Sequence, residues 1–524
     1  MLRYLPLALA MFLNLPEGAS AAPPAPPSVD LTHGDLRVSP NRRFLVHADG
    51  TPFFYLGDTA WELLHRLNRE ETEKYLENRR EKRFTVIQAV VLAELDGLDT
   101  PNAYGEHALI GSDPTKPNEA YFQHVDWVVK KAGEKGLIIG MLPTWGNKVV
   151  KGSWEKSAPI LFNPENALVY GRFLGSRYKN APNLIWILGG DRDPMGVVPV
   201  WRAMARGLKE GDGGRHLITF HPNGAISSSE TLHGEEWLDF NMMQSGHAAR
   251  ELANYKMIAH DYGLTPVKPT FDGEARYEDH PVNWKPEELG WFDEYDVRQA
   301  AYWGVFAGGL GHTYGCHPIW QMLAPGRQPA GYARHNWFDV LDLPGASQMK
   351  YLRALIESRP FLSRVPDQDL LVDNPESGYD HAQATRGDGY AFIYIPAGKP
   401  VKVRMGKVSS ATVRPWWYDP RTGGASAEKP VPDSGVREFT PPGGARRGND
   451  WVLVLDDAAK HFAPPAAAGT ERTGPERSAV GSAALFPSPL LSPAVHQSGR
   501  LLALRCPLEL RCSFGAPQAS KGIS

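Results

Sequence analysis

Short apolar runs that end on polar residues alternate with helical stretches from residue 53 to residue 315, and no other feature of this chain restricts its fold so strongly. Residues 183–191 (NLIWILGGD) are the clearest case. They read as a buried strand that runs into two glycines and stops on Asp191. The helical run 198–211 follows, making one step of a β/α series with an acid at a strand's carboxyl end. Barrel enzymes place their chemistry at that end. Successive strand side chains face opposite ways, so Ile185, Ile187, Gly189 and Asp191 are assigned to the inward face and Leu184, Trp186 and Leu188 to the outward one. Gly189 is then expected to leave room beside Asp191 for a ligand. Residues 269–274 (PTFDGE) repeat the form and end on Glu274, with Asp272 at the same parity one step deeper.

The series begins after an expected lead-in hairpin over residues 37–51. Strands are read at 53–56, 85–92, 137–142, 183–191, 217–220, 238–243, 269–274 and, entered through 308–311, at 312–315, with helices at 119–136, 163–178, 198–211, 250–262 and 297–307. Asn68 with Glu71 three residues later marks another helix start. Eight strand-plus-connection units are the number a closed (β/α)8 barrel requires, and Asp191 ends the fourth while Glu274 ends the seventh. The barrel is expected over 37–359. From 360 to 457 the pattern changes to short alternating strands (390–395, 401–405 with Lys402 and Arg404 outward, 411–418, 451–455), a small antiparallel β-sandwich. Residues 458–524 turn to Ala, Pro, Ser, Gly and Arg without a period and are expected to be disordered.

Arg3, an apolar run over 4–15 and Ala19-Ser20-Ala21 fit a signal peptide cut after Ala21, followed by a Pro/Ala-rich lead-in over 22–36. The expectation is a secreted or periplasmic protein with no membrane attachment after cleavage. Its three cysteines, Cys316, Cys506 and Cys512, make no disulfide framework. With 56 Lys plus Arg against 59 Asp plus Glu, the charge is balanced and nucleic acid is not an expected partner. The 15 tryptophans can supply stacking platforms.

Cleavage of a glycosidic bond needs a proton donor for the leaving oxygen and a carboxylate for the anomeric carbon, and two acids at strand ends supply both. Asp191 is read as the acid/base and Glu274 as the nucleophile. Competing structural roles are a helix cap for Asp191, for which Asp193 is better placed, and an ion pair with Arg276 for Glu274. Glu278 and Asp279 are rival acids in the following loop. Polar and aromatic residues at the other strand ends (Asp58, Trp61, Glu94, Trp145, His221, His247, His312 and Tyr314) are the expected substrate-binding set, stacking on sugar rings and hydrogen-bonding hydroxyls. The chain has no His-x-His at the first strand end, no His-Glu-x-x-His, no Gly-x-Ser-x-Gly and no phosphate-binding glycine fingerprint. No metal or cofactor is therefore expected. Two other classes stay open: a non-catalytic glycan- or matrix-binding protein on a glycosidase-like barrel, and a metal-dependent hydrolase.

The runs GDTAW (57–61), LIWILGGD, FHP (220–222), SGH (245–247), FDGE and GHTYG (311–315) together resemble the apiosidase-like glycoside hydrolase family 140, a (β/α)8 barrel also catalogued as a domain of unknown function. The resemblance covers residues 38–359. The following segment, with WWYDPRTG (416–423), resembles the β-sandwich that accompanies this barrel and carries a collagen-binding label. The resemblance implies a retaining mechanism with Asp191 as acid/base and Glu274 as nucleophile, and the release of apiose from the pectin rhamnogalacturonan II as one activity. Related barrels mostly present Asn-Glu at the fourth strand, where this chain has Gly190-Asp191. The shorter acid needs a closer backbone, which Gly189 and Gly190 allow.

Overall fold

The computed structural model describes residues 26–152, 159–409 and 411–465. The signal peptide and nearly all of the tail expected to be disordered lie outside them, as do Cys506 and Cys512; Cys316 is buried and free.

Eight parallel strands form the barrel: β1 (Tyr55–Thr59), β2 (Val86–Leu92), β3 (Ile138–Thr144), β4 (Leu184–Gly189), β5 (Ile218–His221), β6 (Asn241–Gln244), β7 (Thr270–Asp272) and β8 (Gly311–Tyr314). β8 pairs with β1, so the two ends of the series meet. The ladder breaks between β5 and β6, where Asp239 N–H donates to the Ile218 carbonyl at 2.9 Å and the Thr219 hydroxyl to that of Phe240 at 2.7 Å. A short antiparallel strand, Ile226–Ser227, adds to the free side of β6. The lead-in hairpin is present and gains a third strand, Pro52–Phe53.

The outer layer comprises α1 (Arg69–Glu81), α2 (Glu119–Glu134), α3 (Pro164–Tyr178), α4 (Val198–Asp212), α5 (Asn254–Tyr262), α6 (Glu294–Phe306) and α7 (Pro344–Glu357). Asn68 and Glu71 close the expected capping box on α1. α6 starts three residues before the sequence reading because Asp293 and Asp296 form a further capping box, and α7 has no counterpart in that reading. All of α6 beyond Glu294 is buried, which explains why its amphipathic period is weak.

What buries the outer side of α6 is the sandwich. Its larger sheet runs β9 (Gln383–Gly387), β10 (Tyr390–Ile395), β14 (Trp451–Asp457), β12 (Thr412–Tyr418), all antiparallel. The smaller sheet pairs β11 (Val401–Arg404) with β13 (Val436–Phe439) and Leu371–Val372. Along β10 the period of two feeds two cores: Tyr390, Phe392 and Tyr394 join the barrel core, and Ala391, Ile393 and Ile395 the sandwich core. Tyr302 stacks on Tyr394 at 4.9 Å and Phe306 on Phe392 at 5.9 Å. The buried Arg298 makes a two-bond ion pair with Asp450 at 3.0 and 2.8 Å. Lys402 and Arg404 are exposed, as read from the sequence.

Backbone geometry, rather than ligand space, accounts for the glycines at the end of β4. Gly189 and Gly190 have φ of 88° and 112°. A Cβ on Gly189 would lie 2.2 Å from the His221 carbonyl oxygen, so β5 already occupies the room that was expected for a ligand. Gly189→Ala is expected to cost at least about 1 kcal/mol of stability, measurable as a lower denaturation midpoint.

Candidate active site

Three acids sit two residues beyond a strand end: Glu94 after β2, Asp191 after β4 and Glu274 after β7. All three line one cavity of roughly 620 Å³ at the carboxyl end of the barrel, within the range of ligand sites. Strand parity brings the chain only as far as the strand ends. Ile187 does face inward, meeting Gly140 on β3, and the outward Trp186 donates to Asp212 of α4 at 3.1 Å. Past Gly189 the strand is over, and Asp191 itself sits at φ 56°, a left-handed conformation that Asp tolerates better than most residues. On β7 the inward residue is Phe271, 4.5 Å from Tyr55. Asp272 instead accepts from Asn254 of α5 at 3.0 Å and from the Ser245 hydroxyl at 2.7 Å, which corrects its assigned inward parity.

Glu274 is held from both sides. His221, the last residue of β5, donates from Nε2 to Oε2 at 2.9 Å, and His247 donates from Nε2 to Oε1 at 3.1 Å. The Asp191 backbone N–H donates to His221 Nδ1 at 3.3 Å, so the hydrogen on His221 belongs on Nε2 and one imidazole spans the two acids. Burial alone would raise the Glu274 carboxyl, but the hydrogen bonds from the two histidines prevail and hold it at about 2. Asp191 is pushed the other way, up to about 6, by burial first and by the Glu274 charge second, against His221, Arg192 and Gln244. Its side chain is 29% exposed toward the cavity. Burial, then the Asp191 and Glu62 charges, push Glu94 up to about 8. Two acids whose proton affinities are driven apart across one cavity form a proton donor and an ionised carboxylate at the same pH.

Trp61 and Trp145 also line the cavity and pack on His221, with ring centroids 5.3 and 5.6 Å from it. Six of the ten site residues expected from the sequence thus share the cavity (Trp61, Glu94, Trp145, Asp191, His247 and Glu274), with His221 directly behind Glu274. The other three lie elsewhere. The β1–β8 register sets Tyr314 beside Asp58 and His312 beside Leu56, and none of these lines the cavity. Asp58 accepts from Arg79 Nε at 2.6 Å and from the Tyr75 hydroxyl, both on α1. Tyr314 donates to Glu278 at 2.6 Å, which also removes Glu278 as a rival acid. His312 is sealed in the barrel wall, its pKa pushed down to about 3 by burial and then by Arg276. Arg276, the alternative partner for Glu274, donates instead to Gln299 at 3.1 Å. Asp279 is paired with Arg334 and His335.

Sequence reasoning missed Tyr277, Gln244, His280, Trp284, His317 and Trp320, all on the cavity wall. Tyr277 accepts from Trp61 Nε1 at 3.2 Å, and its position three residues past Glu274 was the available signal. Among the described residues, no cluster of three or more His, Cys, Asp or Glu could hold a metal ion.

The family model for the apiosidase-like catalytic domain matches residues 39–363. The chain belongs to the apiosidase-like family. Residues 365–456 of this apiosidase-like chain match the model of a collagen-binding domain of a collagenase. A solved structure described as a glycoside hydrolase is 37% identical, with a TM-score of 0.77, and the match covers 83% of this chain and 99% of that one. A glycoside hydrolase family 5 structure from Bacteroides vulgatus is 35% identical, with a TM-score of 0.78 over 84% of this chain and 96% of that one. No curated protein matches the chain. Apiosidase-like membership and these neighbours mark a glycosidase.

Proposed function

We propose that this protein is an exported, retaining glycoside hydrolase acting on plant cell-wall or related glycans, with Asp191 as acid/base and Glu274 as nucleophile. The observation that carries the reading is the pair itself: Glu274, ionised between two histidines, and in the same cavity a half-buried Asp191 whose carboxyl is raised by burial first and by the Glu274 charge second. In the first step a Glu274 oxygen bonds to the anomeric carbon as the glycosidic C–O bond breaks, and the Asp191 proton passes to the leaving oxygen. The product is a glycosyl ester of Glu274, whose charge is gone. Asp191, left as a carboxylate by that transfer and no longer beside a charged Glu274, takes a proton from water, whose oxygen displaces Glu274 from the sugar. Glu94 is also protonated near neutrality, but its raised pKa is set by burial, Asp191 and Glu62 rather than by Glu274, so its proton does not follow the nucleophile's charge. It is the hydrogen-bond donor to the sugar.

A retaining reaction places the two carboxyl groups about 5–5.5 Å apart. Apiose on rhamnogalacturonan II is the candidate substrate, on the strength of the motif resemblance. Export rests on the N-terminal pattern; among the described residues no helix is long and apolar enough to cross a membrane.

The acid limb of kcat/KM is expected near pH 2, where Glu274 gains its proton. The alkaline limb is expected near pH 6, where Asp191 loses its own. Asp191→Asn is expected to abolish the alkaline limb along with most activity, whereas Glu94→Gln is expected to leave that limb in place. A limb near pH 6 that vanishes only in Glu94→Gln would exchange the two roles.

A further inference from the structure

The mouth of the cavity holds aromatic rings in a way that barrel packing does not require. Trp284 lines the cavity yet is 48% exposed, and Tyr332, which follows the cavity-lining Gly331 in sequence, is 62% exposed. Both have left-handed backbones, with φ of 55° and 66°, and so do Asn283 at 51° and Asp279 at 59°. Bulky side chains rarely adopt this conformation, and a structure keeps it only where the surroundings enforce it.

Here the enforcement is visible. Asp279 ties the two loops together, accepting from Arg334 Nε at 2.8 Å and bonding His335 Nδ1 at 2.7 Å. His317 donates to the Gly331 carbonyl at 2.8 Å, fixing the residue next to Tyr332. Gly331 in turn packs close to the edge of Trp284, and the His280 ring meets the indole at 5.2 Å and 84°. The Trp284 loop is also joined to the reaction centre: Asn283 N–H donates to the His247 carbonyl at 2.8 Å, and His247 holds Glu274. Trp284 offers the solvent an aromatic face that is continuous with the cavity containing the acids.

We infer that Trp284 is a stacking platform for a second sugar ring of the glycan, next to the ring held between Asp191 and Glu274. The natural substrate is then an oligosaccharide or longer chain, recognised beyond the sugar being cleaved. The occupant follows from the chemistry of the place: a flat apolar face suits the C–H face of an uncharged ring, and its hydroxyls stay in water. The inference rests on the glycosidase reading, and its test keeps the two apart.

The full-length wild type is first incubated with a panel of plant cell-wall oligosaccharides and the released sugar is identified. In the Glu274→Gln background, calorimetry then compares affinity for the oligosaccharide that was cut with affinity for the free released sugar. The oligosaccharide is expected to bind at least about tenfold more tightly, as a second stacked ring allows. Adding Trp284→Ala is expected to erase that advantage and Trp284→Phe to restore most of it. Sugar release by the wild type with an undiminished advantage in Trp284→Ala would overturn the platform and leave the glycosidase standing. Absence of release from every glycan would overturn both.

Discussion

Glu274→Gln is expected to lower sugar release at least about a thousandfold, about 4 kcal/mol of transition-state stabilisation, while the protein stays folded. The amide has nearly the shape of the carboxylate but cannot form the glycosyl ester, so the covalent route closes. Some loss of stability accompanies it. His221 and His247 each donate to one Glu274 oxygen, and in the variant one of them faces an amide N–H instead, a mismatch that costs about 1–3 kcal/mol. The same contacts make wild-type stability depend on pH in a definite direction. Because the folded carboxyl lies well below the ordinary glutamate value of 4.5, its contribution is complete above that value and disappears as pH falls toward about 2. Circular-dichroism melts of both proteins at pH 7 and pH 3 separate the chemical loss from the structural one. The gap between them is expected to narrow at pH 3.

Asp58→Ala is expected to do the opposite: about 3–5 kcal/mol of lost stability, with the kinetics of the surviving folded enzyme unchanged. Asp58 and Arg79 are both fully buried and joined at 2.6 Å, so removing the acid strands a guanidinium between β1 and α1. Replacing both partners by apolar residues, as in Asp58→Leu with Arg79→Met, is expected to recover most of the loss, because the cost lies in the unpaired charge. Denaturant titration measures the stability, and kcat and KM on the refolded fraction measure the rest. A raised KM at unchanged stability would restore Asp58 to the substrate site.

Asp58 also shows where a linear sequence stops being informative. GDTAW carries an acid and a tryptophan at one strand end, and nothing in the string says which of them faces the cavity. Trp61 lies past the strand and turns over the cavity; Asp58 lies within it and points to the helix that follows. Glu94, Asp191 and Glu274 were legible because each lies two residues beyond its strand, where the loop rather than the pleat aims the side chain. Counting parity through Gly189 and Asp272 reached two acids that line the cavity by an argument that the backbone does not follow. The barrel was legible from its alternation, but α6 and the sandwich strand β10 are buried on both sides by one another, so neither shows the one-sided pattern that sequence reading relies on. His221 and His247 were recognisable as strand-end residues, while their joint grip on one carboxylate required β5, β6 and β7 side by side. The loops that bring Tyr277, Trp284 and Trp320 to the cavity have no period at all, and only the fold collects them.

The most direct measurement is sugar release from a panel of plant polysaccharides that includes rhamnogalacturonan II, run with the wild type, Glu274→Gln and Asp191→Ala, and repeated on aryl glycosides of the released sugar. The account predicts release by the wild type and none by Glu274→Gln. Asp191→Ala should fail on the glycan yet retain activity on the aryl glycoside, whose leaving group needs no proton. Release by Glu274→Gln at the wild-type rate, or no release from any glycan by the wild type, would contradict it.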